Sequence, residues 1–352
     1  MSTQPDDGFT FSILPEEQRE HFRLLELPPE LLELVTSNTS HTVLSTRIIT
    51  DGNDRLQFKS ADGQHTGKSG SVPEAYICIS DKTYKIRQVN SSNSVYICQP
   101  ANNDDDNGLP QAGLQAIAQS SWTLELNQAQ ENFAIQHLKA MLPTYSSTGS
   151  YQSKDLASKQ RIFDNIPSSQ AQCEQAWKDL ACFELSDPQG CFLPSASVKV
   201  QVWRSMLDQA VASGVDLTGD LSQQQLDVIN DPNEEWPTEI GPALLNSILN
   251  GEGRVDESKC VTSAGVDLLA ARLGVVQPTA EFLAIWRNAL PEKWRAEAKV
   301  EMLHRTEYRL GDSRKTIAYA GAKGTAAVAD GDATTGAKRK WHDKFRASKK
   351  AA

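Results

Sequence analysis

The chain has 352 residues, 39% hydrophobic and 23% charged, enough for two or three domains that each bury a core. No run of about 18 apolar residues is present to span a bilayer, and the start, MSTQPDDGF, is acidic and polar where a signal peptide is basic and then apolar, so a nuclear or cytosolic location is expected. Net charge is −10, yet from Trp286 to Lys350 sixteen Lys and Arg stand against eight Asp and Glu, which leaves −18 on the rest; this excludes a protein coated with basic residues throughout and confines nucleic-acid contact to the C-terminal part.

Residues 1–20 read as flexible, apart from an alternating segment at 9–13. Residues 22–27 predict a strand stopped by Pro28 and Pro29, after which 30–35 make one or two helical turns. Another strand is expected at 55–60. The densest stretch is AYICISDKTYKIRQVNSSNSVYICQP, residues 75–100. It reads as three strands, 75–80, 82–90 and 94–98, separated at 80–82 and 90–94 by residues whose side chains bond their own backbone in turns. A strand at 121–126 and a helix at 131–142 follow. Six or more short strands without regular strand–helix alternation predict a small antiparallel β-barrel or half-barrel over 21–145, closed by a helix. Sheet edges are pairing surfaces, and Tyr76, Tyr84, Ile86, Val95 and Tyr96 are the candidate partner-binding residues on these strands.

A Ser, Thr and Gly linker near 144–152 leads into a different pattern. Helices are expected at 155–166 and from Ser169, where Ser169 and Gln172 form a capping box, with Cys173, Ala176, Trp177 and Leu180 as the apolar stripe. Residues 183–185 and 191–193 flank the turn 187–190 as a hairpin. Helix, helix, hairpin is the winged-helix order. It returns with helices at 198–212, 221–229 and 240–249, a wing strand at 259–261 and a helix capped by Thr262, then with a helix 280–290 capped by Thr279, a helix 292–303 and a hairpin from 307–310 and 316–319. The expected architecture is α+β: an N-terminal small antiparallel β-barrel domain followed by tandem winged-helix-like domains at 153–215, 216–277 and 278–320. Residues 321–352 read as a disordered tail with a basic end.

Several signals resolve to ordinary roles. DGQHTGKS at 62–69 has three residues between Gly63 and Gly67 where a phosphate loop needs four, and no helix follows. The acidic run Asp104, Asp105, Asp106 lacks calcium-loop spacing, and the six His are scattered. Six Cys without a CxxC pair predict buried reduced thiols. Trp177, Trp203, Trp236, Trp286 and Trp294 read as core, with Trp236 able to staple the start of a helix. In the tail, Lys338, Arg339, Lys340, Lys344 and Arg346 surround Trp341 and Phe345; nuclear localisation, DNA contact and a solvated end all remain open for it.

DKTYKIRQVNSSNSVYIC at 81–98, preceded by FRLLELPPEL at 22–31, resembles the sister chromatid cohesion protein DCC family. The likeness is close over about residues 20–140 and carried beyond that by the order of helices and hairpins and by Trp286 and Trp294. It implies a non-catalytic subunit, without a cofactor, of the cohesion-type alternative replication factor C clamp loader in DNA replication and the cell cycle. Its barrel would join the small and large chromosome-transmission-fidelity subunits, and its winged helices would face the DNA polymerase epsilon catalytic subunit and DNA. Lys293, Arg295, Lys299, Arg305, Arg309, Arg314 and Lys315 are the DNA-binding candidates of the last unit; pairing with Glu292, Glu297, Glu301 and Glu307 along a helix is the competing reading. A sequence-selective, transcription-type winged-helix protein is the alternative function. It predicts Arg or Asn grouped at a recognition-helix N-terminus, where Gln170, Gln172 and Glu174 stand instead. No convergent acid, base and nucleophile points to an enzyme.

Overall fold

The computed structural model describes residues 10–19, 22–37, 57–61, 74–104, 110–146, 156–187, 189–230 and 236–321. The chain divides into two units, Met1–Ser195 with Asn230–Leu249, and Ala196–Ile229 with Asn250–Ala352. The phosphate-loop-like segment 62–69, most of the acidic run at 104–106 and the tail beyond 321 lie outside the described residues.

The first unit is organised on a six-stranded sheet. Strands β1 (Thr10–Ile13) and β2 (Leu24–Glu26) pair in parallel with one edge of the long β6 (Pro110–Gln128), and β5 (Thr83–Asp104) pairs antiparallel with its other edge. Beyond β5 come β4 (Glu74–Cys78) and β3 (Gln57–Ala61), giving the order β1-β6-β5-β4-β3. This is a curled half-barrel, open and mixed, which corrects the expectation of a purely antiparallel sheet. Apolar alternation marks which face a residue occupies but carries no information on strand direction.

A second correction concerns residues 90–94. The expected turn is a bulge inside one continuous strand, because Asn90 pairs with Trp122 and Val95 with Ser120, so that four residues of β5 oppose one of β6. Turn-forming side chains state a local preference, and the ladder to β6 on both sides of them overrides it. The break between β4 and β5 is a real turn: Ile79 N donates to Lys82 O at 2.9 Å.

Helices α1 (Pro29–Ser37), α2 (Phe133–Met141), α3 (Lys159–Asn165) and α4 (Gln170–Asp179) belong to this unit, as does α7 (Ile240–Ile248). Leu138 of α2, Ile162 and Phe163 of α3, and Cys173 and Trp177 of α4 share one buried cluster. Burying a side chain such as Leu138 contributes about 1.5–3 kcal/mol. Sheet and helices are also tied by polar contacts. Ser169 and Gln172 make the expected capping box at α4, and the fully buried Thr83 Oγ1 accepts from Ser169 N at 2.8 Å and donates to Gln172 Oε1 at 2.6 Å. Lys59 Nζ donates to the carbonyls of Phe163, Ile166 and Ser168 at 3.2, 3.2 and 2.7 Å. The unit closes with β8 (Phe183–Ser186) and β9 (Gln189–Pro194) as a hairpin, β9 also pairing in parallel with β7 (Thr144–Tyr145).

In the second unit, α5 (Ala196–Ala212), α6 (Gln223–Ile229), α8 (Glu257–Ala270) and α9 (Thr279–Asn288) accompany a three-stranded sheet, β10 (Gln277–Pro278), β12 (Thr316–Tyr319) and β11 (Tyr308–Leu310) in that spatial order. The indole N–H of Trp286 donates to Val261 O at 2.9 Å and that of Trp203 to Ala289 O at 2.8 Å, so both rings are buried with their polar atoms satisfied. Gly265 is required by this packing: a Cβ there would lie 2.6 Å from the Trp286 ring.

Three expectations change here. Residues 259–261 are helical, because α8 starts earlier, with Asp256 Oδ1 accepting from Lys259 N at 2.9 Å in place of a Thr262 cap. Thr279 does not cap α9; its hydroxyl donates to Arg314 O at 3.0 Å. Residues 292–303 form two 3-10 turns, Glu292–Glu297 and Val300–Met302, since burying Trp294, Ala298 and Leu303 together does not suit the period of one α-helix.

Candidate interaction surfaces

The two strands β5 and β6 extend as a ribbon past β3 and β4, while β1 still pairs with β6 at Gly113–Ala116. Strand β4 reaches only Thr83, Tyr84 and Lys85 of β5. From Ile86 onward the outer edge of β5 has no neighbouring strand among the described residues. An unpaired edge presents a row of backbone donors and acceptors to a further strand.

Of the five partner-binding candidates, Tyr76 and Tyr84 are buried and Ile86 is half-buried, while Val95 and Tyr96 are exposed. Tyr76 packs its ring against Phe133 at 5.0 Å and donates its hydroxyl to Glu74 Oε2 at 2.5 Å; burial, with the Glu74 carboxylate second, pushes its phenol well above the usual range. Tyr84 donates to Glu30 Oε2 at 3.2 Å, and the Glu30 carboxyl is held below its ordinary value by hydrogen bonds from Lys82 first and Tyr84 second. These two tyrosines therefore build the sheet, and only Val95 and Tyr96 of the set face outward. Ile97 is exposed as well. Successive strand residues point to opposite faces, so three exposed residues in a row mean the ribbon is uncovered on both faces there. Phe11, Ile13 and Trp122 add exposed apolar area, with Phe11 edge-on to Tyr96 at 6.3 Å. Sequence reasoning missed Phe11, Ile97 and Trp122. The one available signal was that Trp122 is a large aromatic set beside Ser120, Ser121 and Thr123, where a core strand would alternate with more apolar residues.

The basic candidates fall into two groups. Lys293 Nζ lies 2.7 Å from Asp216 Oδ2 and 3.0 Å from Thr218 Oγ1, and its hydrogen bond, with those of Thr218, holds the Asp216 carboxyl far below the usual carboxylate range. Lys299 pairs with Glu297 at 3.2 Å, and Arg295 Nε donates to Leu290 O at 3.4 Å. Arg305, Arg309, Arg314 and Lys315 are exposed and have no ion pair among the described residues. Arg309 stands on β11, and Arg314 and Lys315 close the turn to β12. At that tip Ser313 and Arg314 adopt positive φ of 62° and 57°, each costing roughly 1–3 kcal/mol for a residue with a Cβ. The strained turn is clamped by the start of α9, where Thr279 Oγ1 donates to Arg314 O at 3.0 Å and Thr279 N to Lys315 O at 2.8 Å. Lys338, Arg339, Lys340, Lys344 and Arg346 lie outside the described residues.

Trp177, Trp203, Trp286 and Trp294 are core residues, while Trp236 is half-buried. All six cysteines are free and five are buried; burial pushes the thiols of Cys173, Cys191 and Cys260 up to about 12. Among the described residues no helix is long and apolar enough to cross a membrane, and no three His, Cys, Asp or Glu side chains converge as metal ligands.

Among curated proteins none matches the chain. The family described as sister chromatid cohesion protein Dcc1 matches residues 22–323, which takes in the sheet from β2 onward, both hairpins and every α-helix described above. The chain belongs to the sister chromatid cohesion protein Dcc1 family, and that membership implies a role in sister chromatid cohesion.

Proposed function

We propose that the protein is a non-enzymatic subunit of the cohesion-type alternative replication factor C clamp loader, acting in the nucleus. The observation that carries this reading is the outer edge of β5, which beyond Lys85 has no neighbouring strand among the described residues and is bordered by exposed Val95, Tyr96 and Ile97. A half-barrel with an open edge and apolar residues on both faces is suited to strand addition from a partner, with room for the large, apolar interface of an obligate subunit. The small and large chromosome-transmission-fidelity subunits are the partners assigned to it. The helical part is assigned to the DNA polymerase epsilon catalytic subunit and to DNA, with Arg305, Arg309, Arg314 and Lys315 meeting phosphates. Such a subunit works by tethering, which raises the effective concentration of the loader at a replication fork.

The test is co-expression of the full chain with the small subunit, read by gel filtration. A stable one-to-one complex is expected. The double variant Val95→Asp and Ile97→Asp places two charges in the interface and is expected to weaken the complex by at least about a hundredfold, as hot-spot losses do. A wild-type chain that stays monomeric beside this partner overturns the reading.

A further inference from the structure

On the parallel edge of β6 there is a gap. Strand β1 ends opposite Ala116 and β2 begins opposite Thr123, so residues 117–122 have no strand beside them on that edge among the described residues. After β1 the chain turns through the 3-10 helix Glu16–Gln18 beside this gap. It leaves a cavity of about 770 Å³ whose lining includes Glu16, Arg19, Phe22, Arg23, Gln88 and Trp122. That volume is in the range of sites that hold several side chains or a small ligand.

The lining has a definite chemistry. Two guanidinium groups face one carboxylate, an excess of positive charge. Arg19 is fixed by a hydrogen bond from its terminal N–H to Gln119 Oε1, while its buried Nε has no acceptor. The side chains of Arg23 and Gln88 make no hydrogen bond or ion pair among the described residues, so their donors are available. Trp122 is 46% exposed and offers a ring face beside these donors. Guanidinium groups recognise carboxylates through paired, directional N–H bonds, and a neighbouring indole favours an apolar or aromatic residue next to the charge.

We propose that this notch is a docking site for an extended acidic segment of a partner protein, with one carboxylate held between Arg19 and Arg23 and an adjacent apolar side chain against Trp122. A nucleic-acid strand suits the notch less well. The chain outside residues 286–350 carries −18, a field that repels a polyanion far more than a peptide bearing a few carboxylates. The proposal rests on the notch alone and is independent of what pairs with the β5 edge.

The experiment uses the full chain and a fluorescein-labelled acidic heptapeptide, GDEFEDG, read by anisotropy. Saturable binding is expected with Kd on the order of 10–100 μM, with no displacement by the basic peptide GKKFKKG or by a twelve-residue oligothymidylate. Arg23→Glu is expected to weaken binding at least tenfold and Trp122→Ala severalfold; both residues are exposed, and an unchanged circular dichroism spectrum shows that the fold is retained. Absence of saturable binding overturns the proposal, as does equal binding by Arg23→Glu. Displacement by the oligothymidylate overturns it in favour of a nucleic-acid site.

Discussion

The two hairpins that close the helix-rich parts of the chain look alike in sequence and differ in what they do with their side chains. In β8 and β9, Phe183, Leu185, Cys191 and Phe192 are buried, and the Phe183 and Phe192 rings stack at 5.9 Å with Tyr145 edge-on to both. In β11 and β12, Ile317 is buried, while Arg309, Leu310, Arg314 and Lys315 are exposed. The first hairpin is core; the second is a surface whose turn is strained and clamped by Thr279. A shared helix–helix–hairpin order therefore does not give the two hairpins a shared function. Among the described residues, only the second carries exposed cations without an ion pair, at Arg309, Arg314 and Lys315.

The sharpest way to break this comparison is to truncate one large side chain in each hairpin. Phe192→Ala empties a fully buried site and is expected to cost about 3–5 kcal/mol of stability. Arg309→Ala removes an exposed side chain and is expected to stay within about 0.5 kcal/mol. Chemical denaturation of the two variants decides it, and a loss from Arg309→Ala as large as that from Phe192→Ala would show that the second hairpin is core as well.

What could be read from the sequence was what local chemistry sets. The capping box at Ser169 and Gln172 and both hairpins, with turns near 187–190 and 311–315, are where the residues place them, because caps and turns are decided by neighbours in the chain. Contacts from elsewhere in the chain decided the rest. The bulge at residues 91–94 exists because β6 pairs on both sides of it, and the 3-10 turns at 292–302 follow the burial of Trp294 and Ala298. Candidate sites suffered most. Tyr76 and Tyr84 looked like surface strand residues until α2 and α1 supplied Phe133 and Glu30 beside them. Nothing in a linear reading brings Arg19 next to Gln119, a hundred residues away.

The comparison is sharpened at the level of binding by salt dependence. Each phosphate contact releases counterions and contributes a slope of about 0.9 in log K against log salt. The triple variant Arg309→Ala, Arg314→Ala and Lys315→Ala is expected to lower the slope for duplex DNA by about 2–3 units, measured by anisotropy between 50 and 200 mM salt. The double variant Lys293→Ala and Lys299→Ala is expected to leave it nearly unchanged, because both lysines are occupied by Asp216 and Glu297. An equal fall in both variants would mean that the ion pairs open to DNA and that the β11–β12 hairpin holds no special place.

The smallest effect tests that occupation directly. Pairing with Lys293 depresses the folded-state pKa of Asp216, so its contribution to stability is complete above the ordinary carboxylate range and is lost as pH falls through that range toward the depressed value. Both groups are solvent-exposed, and water and salt screen the pair, so the effect is expected to be slight. Asp216→Asn keeps an oxygen for the Thr218 N–H, which Asp216 Oδ1 now accepts at 3.0 Å, and removes the charge. Denaturation midpoints of the wild type and this variant are expected to differ a little near pH 6, to draw together progressively as pH falls below about 4 toward the depressed value, and to differ less at 1 M salt than at 0.1 M. A difference that persists unchanged at low pH would place the role of Asp216 in the turn it forms with Thr218, and would return Lys293 to the set of cations free to meet DNA.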